Sequence, residues 1–180
     1  MIIRIWNGLK RRSAARVLRW RGASIGKCCW LRDIEVPRNA YDVCLADQVS
    51  LDRGVVLLAT GSKSGEPRIQ IGTSTYVNRY TMVDASQSIR IGSNCMIGPF
   101  CYITDHDHGT AASTLIQSQE LISRPVVIED DVWIGAHVCI LKGVRLGKGS
   151  VIGAGSVVTK NVGPCEVVAG VPARVVSTRF

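Results

Sequence analysis

Aromatic residues are scarce in this chain of 180 residues, at 6%, and no hydrophobic run approaches the roughly 20 residues that a membrane-spanning helix needs. CxxC and CxxH pairs are also absent, although the chain contains seven cysteines. An odd number of cysteines without paired spacing disfavours a disulfide scaffold and a cysteine-ligated zinc site, and it favours a reducing compartment. Because 46% of the residues are hydrophobic, the composition excludes a disordered chain and predicts one folded cytoplasmic domain.

Acidic residues are missing from the first 27 positions, which hold eight lysines and arginines. The rest of the chain has equal numbers of acidic and basic residues, so the net charge of +8 belongs to this one segment. A basic character confined in this way does not support nucleic-acid binding, and the sequence matches no nucleic-acid-binding motif. We therefore expect no nucleic acid among the partners of this protein.

Hydrophobic residues recur at helical spacing through the same basic segment, at Ile2, Ile5, Trp6, Leu9, Val17 and Trp20. This pattern predicts a basic amphipathic helix over residues 1–24, ending near Gly22. Such a helix can cap one end of the folded domain, or residues 1–21 can make a peripheral contact with the inner face of the cytoplasmic membrane. The two roles are compatible, and the spacing does not choose between them.

A period of six residues runs through the remainder of the chain. Large aliphatic residues recur at this period at Ile128, Ile134, Ile140, Leu146, Ile152 and Val158, and earlier at Ile71, Val77, Val83 and Ile89, then at Ile91, Ile97 and Ile103 after a shift of two. The fourth residue after most of these is small or β-branched. A six-residue period predicts short flat strands joined by tight turns, three to a triangular coil, with the aliphatic residues inside. The predicted β-solenoid covers residues 25–176, followed by a short tail of residues 177–180.

Two segments interrupt this repeat. Residues 61–67 are rich in Gly, Ser and Pro and are expected to form an exposed turn. The longer interruption, at about 104–126, is expected to be one long extruded loop, and it contains His106 and His108. Insertions in solenoids gather on functional faces, and histidine suits proton transfer near neutral pH. Spacing alone does not distinguish a general base from two solvated histidines in a polar loop.

The stretch from Val132 to Val176, VWIGAHVCILKGVRLGKGSVIGAGSVVTKNVGPCEVVAGVPARVV, resembles the C-terminal signature of the hexapeptide-repeat acyltransferases, and weaker agreement extends back to about Ile25. The resemblance implies an all-β fold, the left-handed parallel β-helix, with acetyl-CoA as co-substrate and no metal. It also implies a homotrimer whose active sites lie between subunits. Within the family, the short chain and the DHDH sequence look most like the O-acetyltransferases that modify sugars in bacterial surface polysaccharides.

The resemblance also implies roles for particular residues. It places the general base on His108, and His106 is the other candidate in the DHDH sequence. Asn78, 30 residues before His108, matches an asparagine that contacts the acceptor or helps to set the site, and Asp84 matches a recurrent acid of that site. Asn78 can equally be a corner residue that tolerates unusual backbone angles.

The implied coenzyme-binding positions are Ala136, Ala154, Thr159, Lys160 and Arg174. Ala136 and Ala154 are 18 residues apart, which is one coil, so they are expected to stack on one face and let a pantetheine arm approach the backbone. Lys160 and Arg174 would supply positive charge near the coenzyme's phosphates. Apart from the resemblance, small residues at a corner and ordinary surface charges explain the same positions.

Other functions stay open on the sequence. Zinc-dependent carbonic anhydrases share this fold, but the histidines at 106, 108 and 137 are not spaced like the ligands of that family. An antibiotic O-acetyltransferase of the same fold is the main alternative to a polysaccharide enzyme, and a non-catalytic β-helix scaffold is a further one. Binding of acetyl-CoA distinguishes either enzyme from a scaffold.

Overall fold

The computed structural model describes residues 14–62 and 65–179 of the chain. Residues 14–20 form a helix in which Ala15 and Leu18 are buried while Val17 and Trp20 are exposed. The predicted end of this helix is confirmed, because the Gly22 N–H, at φ 94°, donates to the carbonyl oxygen of Arg19 at 2.9 Å. Residues 1–13 of the predicted helix, with Ile2, Ile5, Trp6 and Leu9, lie outside the described residues.

The described residues after this helix build three mainly parallel sheets, which are the faces of a triangular prism. Sheet A contains β1 (Ser24–Ile25), β3 (Val43–Leu45), β6 (Ile69–Ile71), β9 (Ile89–Ile91), β14 (Val126–Ile128) and β17 (Arg145–Leu146). Sheet B contains β2 (Trp30–Leu31), β4 (Ser50–Leu51), β7 (Tyr76–Val77), β10 (Met96–Ile97), β15 (Trp133–Ile134), β18 (Val151–Ile152), β20 (Glu166–Gly170) and β21 (Ala173–Thr178). Sheet C contains β5 (Val56–Ala59), β8 (Met82–Ala85), β11 (Tyr102–Thr104), β16 (Cys139–Ile140) and β19 (Val157–Val158).

The register between coils is regular where the hexapeptide period holds. In sheet B, for example, Ile97 pairs with Val77 in the coil below and with Ile134 in the coil above. Turns of constant length join sheet A to sheet B and sheet B to sheet C, whereas the connections from sheet C back to sheet A vary in length. Both predicted interruptions of the repeat lie at this C–A corner, so it is the corner at which the chain leaves the prism.

The interior of the prism confirms the predicted repeat. The six aliphatic residues from Ile128 to Val158 are each at most 1% exposed. Polar residues in the small inward position are accommodated by hydrogen bonds to the backbone, since Thr75 and Thr81 donate their hydroxyls to the carbonyl oxygens of Gly92 (2.7 Å) and Gly98 (2.8 Å). A continuous aliphatic core therefore holds the coils together, because burial of these side chains is the largest favourable term in folding.

The long interruption of the repeat is partly ordered as a hairpin. After β11 the chain forms β12 (His106–His108), which pairs antiparallel with β13 (Leu121–Ser123). A 3-10 turn at Ile116–Ser118 lies near the tip, and another, Ala40–Asp42, precedes β3. The chain ends in a second hairpin, in which β21 folds back on β20. The first hairpin extends from the prism, and the second lies at its C-terminal end.

Candidate active site

The outer surface of sheet B carries a groove of about 480 Å³ close to the corner where the chain turns into sheet C. Side chains of Tyr76, Met96 and Trp133 line one part of it. Met96 and Trp133 are more than half exposed although they are large and apolar. A concave apolar surface with few polar groups is typical of a binding site for a small molecule.

Glycines at the B–C corner create this groove. Gly98, Gly135 and Gly153 stand one above another over Asn78, because each directly follows a strand of sheet B in successive coils. A Cβ atom on Gly98 would lie 2.6 Å from the carbonyl carbon of Gly135, and one on Gly135 would lie 2.6 Å from the amide nitrogen of Ala154. Side chains are therefore excluded above Asn78 by the close approach of stacked turns.

Asn78 lies at the bottom of this glycine column and lines the groove. Its side-chain Oδ1 accepts the N–H of Arg79 at 2.7 Å, which is the local turn-forming bond expected of an asparagine at a corner. The Nδ2 amide forms no hydrogen bond with the described residues. The oxygen of Asn78 therefore stabilises the turn, while its N–H₂ group remains available as a donor.

Four polar side chains gather where sheet C meets the extruded hairpin. The Nδ1 atom of His106 lies 3.0 Å from Oδ1 of Asp105, and its Nε2 atom lies 3.9 Å from Oδ2 of Asp84. Tyr102 donates its hydroxyl to Asp84 Oδ2 at 3.0 Å. Burial, with a smaller contribution from the Asp84 charge, raises the pKa of Tyr102, so the phenol keeps its proton at neutral pH and remains a donor.

Asp105 fixes the root of the hairpin. Its carboxylate is fully buried and accepts backbone N–H groups from Ser86 (2.8 Å), Gln87 (2.7 Å) and Ser88 (2.6 Å) in the coil below. Its carbonyl oxygen accepts the N–H of Arg124 (2.7 Å), where the chain returns from the hairpin. One residue therefore ties both ends of the hairpin to the prism and also contacts His106.

His108 is in a different environment, although it lies two residues from His106 on the same strand. Its side chain is exposed and forms no hydrogen bond or ion pair with the described residues. Between the two histidines, Asp107 forms an ion pair with Lys142 of the next coil. The hairpin thus presents one histidine held by carboxylates and one histidine with free ring nitrogens.

The residues implied to bind the coenzyme lie in different places on the prism. Ala136 and Ala154 line the groove beside the glycine column. Lys160 and Arg174 line a smaller pocket of about 170 Å³ at the C-terminal end of the prism. Thr159 is exposed and lines neither. The hairpin of β20 and β21 brings the backbone of Arg174 beside Ala169, directly above Gly153 and near the upper end of the groove, while Arg174 itself lines the smaller pocket.

The residues expected to bind or activate the acceptor also lie in two different places. Asn78 lies at the B–C corner, whereas Asp84, His106 and His108 lie at or beyond the C–A corner. One face of the prism separates the two groups within a single chain.

Sequence reasoning missed several residues of these surfaces. Met96 and Trp133 occupy outward positions of the hexapeptide. The repeat of inward aliphatic residues does not reveal such positions. Tyr80, Phe100 and His137 form a stack of rings at the B–C corner. Each is the third residue after the inward aliphatic residue of its sheet B strand, and this equivalent place in successive coils was the signal that could have identified the stack.

The described residues contain no group of three or more His, Cys, Asp or Glu side chains arranged to hold a metal ion. They also contain no helix that is long and apolar enough to cross a membrane.

Comparison with known proteins identifies the repeat. A family profile described as the hexapeptide repeat of succinyl-transferase matches residues 125–160. The chain is 43% identical over 109 residues to the galactoside O-acetyltransferase of Escherichia coli K12, covering 60% of this chain and 53% of that protein. It is 34% identical over 120 residues to E. coli WbbJ, whose name describes a lipopolysaccharide biosynthesis O-acetyl transferase, covering 62% of this chain and 61% of that protein.

A solved structure of similar shape supports the same assignment. It is the hexapeptide-repeat acetyltransferase VCA0836 of Vibrio cholerae in complex with acetyl coenzyme A, with a TM-score of 0.66 and 26% identity over 93% of this chain and 76% of that chain. The prism is accordingly a left-handed parallel β-helix of hexapeptide repeats. The chain is thus similar in sequence and in fold to hexapeptide-repeat acetyltransferases. It spans little more than half the length of the two E. coli relatives.

The role of Asp105 in holding the hairpin generates a stability prediction. Asp105→Asn replaces one carboxylate oxygen with an N–H₂ group that cannot accept the backbone N–H groups of residues 86–88. We expect this variant to lower the free energy of unfolding by about 3 kcal/mol, because buried donors lose a charged acceptor. Chemical denaturation followed by circular dichroism measures the change.

The matched control is Asp107→Asn, the same substitution two residues further along. Asp107 is half exposed and pairs with one lysine, so we expect a loss below about 1 kcal/mol. Equal losses in the two variants would contradict the special role of Asp105.

Proposed function

We propose that this protein transfers an acetyl group from acetyl-CoA to a hydroxyl group of a sugar in bacterial surface polysaccharide. The observation that carries this proposal is the groove in which Asn78, Ala136 and Ala154 lie together. The acetyltransferases that the chain resembles support the reaction class, and the names of the two E. coli relatives support a sugar acceptor. The name of WbbJ favours a surface polysaccharide over an antibiotic as the acceptor.

Direct transfer needs one general base and no covalent intermediate on the protein. His108 removes the proton from the acceptor hydroxyl, and the oxygen attacks the carbonyl carbon of the thioester. Backbone N–H groups stabilise the negative charge that develops on the carbonyl oxygen. The carbon–sulfur bond then breaks, the acetyl ester is formed, and the coenzyme thiolate takes the proton from His108.

The environments of the two histidines support His108 as the base. A general base needs an accessible ring nitrogen within reach of a substrate hydroxyl. His108 is exposed and its ring nitrogens have no partner among the described residues, whereas both ring nitrogens of His106 face carboxylates. His106 is therefore proposed to position the hairpin and, with Asp84, to line the acceptor site.

The separation of Asn78 from His108 supports a homotrimer as the active unit. One chain places these residues at different corners, so a site that uses both is completed when a second prism brings its hairpin to the groove of the first. In a closed ring of three chains, every groove contacts a hairpin of a neighbouring chain. A dimer with one such contact would leave one groove and one hairpin without a partner.

A first prediction tests the acceptor and the base together. Wild-type protein with acetyl-CoA and a panel of glycan acceptors is expected to release free thiol, which a colorimetric reagent measures. His108→Ala should reduce kcat by about 10²-fold or more, because a positioned general base contributes at least that factor.

His106→Ala is the matched control for this measurement, and we expect it to retain more activity than His108→Ala. A reversed order of the two variants would assign the base to His106. Binding of coenzyme A without turnover of any glycan would overturn the sugar acceptor and direct the search to antibiotic substrates.

A second prediction tests whether the site lies between subunits. Asn78→Ala and His108→Ala chains, co-expressed with different tags and purified through both, form mixed trimers. In each mixed trimer one contact joins an intact Asn78 to an intact His108, so activity is expected to exceed that of either variant alone. Mixed assemblies as inactive as the separate variants would show that both residues act within one chain.

The basic N-terminal segment is proposed to contact an anionic membrane surface. Trp20 is 87% exposed and Val17 is 53% exposed, and the surrounding sequence is basic without acidic residues. Tryptophan together with basic side chains is the combination that binds at a headgroup interface. This location would bring the enzyme close to membrane-attached glycan intermediates.

Vesicle co-sedimentation tests this contact. We expect binding to vesicles that contain phosphatidylglycerol and weak binding to pure phosphatidylcholine, with a severalfold loss of bound protein in Trp20→Ala. Trp133→Ala is the matched control, since Trp133 is also an exposed tryptophan but lies on sheet B. Equal losses in both variants, or equal binding to both kinds of vesicle, would contradict the proposal.

A further inference from the structure

A column of three rings stands at the B–C corner, next to the groove. Tyr80, Phe100 and His137 occupy the same place in successive coils, and their rings are stacked. The Tyr80 and Phe100 centroids are 5.3 Å apart with planes at 17°, and the Phe100 and His137 centroids are 5.1 Å apart with planes at 6°.

These three residues occupy an unfavourable backbone conformation. Their φ angles are 56°, 57° and 57°, which is the left-handed region that glycine and asparagine tolerate far better than bulky residues. The coils below and above have glycine in the equivalent place, Gly54 and Gly155.

The two ends of the column differ. At the lower end the Tyr80 ring lies over Gly54, where an added Cβ would be 2.4 Å from the Tyr80 ring. At the upper end an added Cβ on Gly155 would meet no atom within 4 Å. His137 is exposed, and its side chain forms no hydrogen bond with the described residues. The upper face of the His137 ring therefore borders an open slot.

This slot adjoins the groove described above. Ala136 directly precedes His137, Ala154 directly precedes Gly155, and both alanines line the groove. Asn78 and Ala154 lie three coils apart. This separation is about 14 Å along the prism axis. Arg174 lies near the upper end, because its partner Ala169 stands above Gly153.

The slot, the groove and the cation match the parts of one ligand. Coenzyme A has an acyl group at one end, a long linear arm, a pyrophosphate, and a planar adenine at the other end. The groove suits the arm, and Arg174 suits the phosphates. A free aromatic face with an adjacent open slot suits a planar base.

We propose that the free face of His137 stacks on the adenine ring of coenzyme A, which occupies the slot beside Gly155. This inference rests on the proposed function, since it assumes that coenzyme A is the donor. It gives the third histidine of the chain a binding role that is separate from proton transfer.

Calorimetric titration of coenzyme A into the protein tests the stack directly. We expect His137→Ala to weaken binding roughly 5- to 100-fold, the range for loss of one base–aromatic contact. His137→Phe is the matched control and should bind coenzyme A nearly as well as wild type, because it retains a ring. Thermal unfolding of each variant verifies that the prism is intact.

A second variant fills the slot from the other side. Gly155→Asn places a side chain in the open space, and asparagine tolerates a positive φ. This variant is expected to weaken coenzyme A binding even though His137 is unchanged. Wild-type affinity in both Gly155→Asn and His137→Ala would overturn the proposal.

A truncated ligand shows which part of the coenzyme contacts His137. The pantetheine arm without its nucleotide lacks adenine, so its affinity should be the same for wild type and His137→Ala. An equal loss for the truncated ligand would mean that His137 contacts the arm, and the proposal would be wrong. Wild-type protein that binds no coenzyme A would instead refute the proposed function, which distinguishes the two failures.

Discussion

The rest of the structure depends on the spacing between successive coils. Each strand hydrogen-bonds to the strand above it at about 4.8 Å, so the turns at the corners must stack at the same distance. At the B–C corner this spacing excludes side chains on Gly98 and Gly135, whose Cβ atoms would lie 2.6 Å from backbone atoms of the next turn. The close stacking of these glycine turns therefore leaves an open groove above Asn78.

At the C–A corner, the backbone hydrogen-bonding groups have charged side chains as partners. Where the hexapeptides are interrupted, charged side chains replace the missing turns as hydrogen-bond partners. Buried Arg68 pairs with Asp42 and donates to the carbonyl oxygens of Ser62 (2.6 Å) and Ser86 (2.9 Å), and Asp105 accepts three N–H groups from residues 86–88. Such groups are costly to bury unless every partner is present. The two histidines are thus attached to the part of the prism held by polar contacts instead of aliphatic packing.

The prism was predictable from the sequence, because each hexapeptide carries its own inward aliphatic residue, and an occasional serine or threonine does not hide the period. The anchoring of the hairpin was not predictable. Asp105 and Asp107 each precede a histidine in the DHDH sequence, so the sequence does not distinguish them. Only the folded structure places residues 86–88 beside Asp105. The coenzyme positions illustrate the same limit. The stacking of Ala136 and Ala154 follows from the period, but the place of Arg174 depends on β21 folding back on β20, outside the repeat.

Folding of one chain and completion of the proposed site are separate events in this architecture. The aliphatic core of the described residues lies within one prism, so its burial needs no partner. Asn78 and His108 are on opposite sides of a face, however, and no motion of a rigid prism brings them together. In the proposed trimer, contact between two prisms would bring the extruded hairpin and its histidines to the groove of a neighbouring chain.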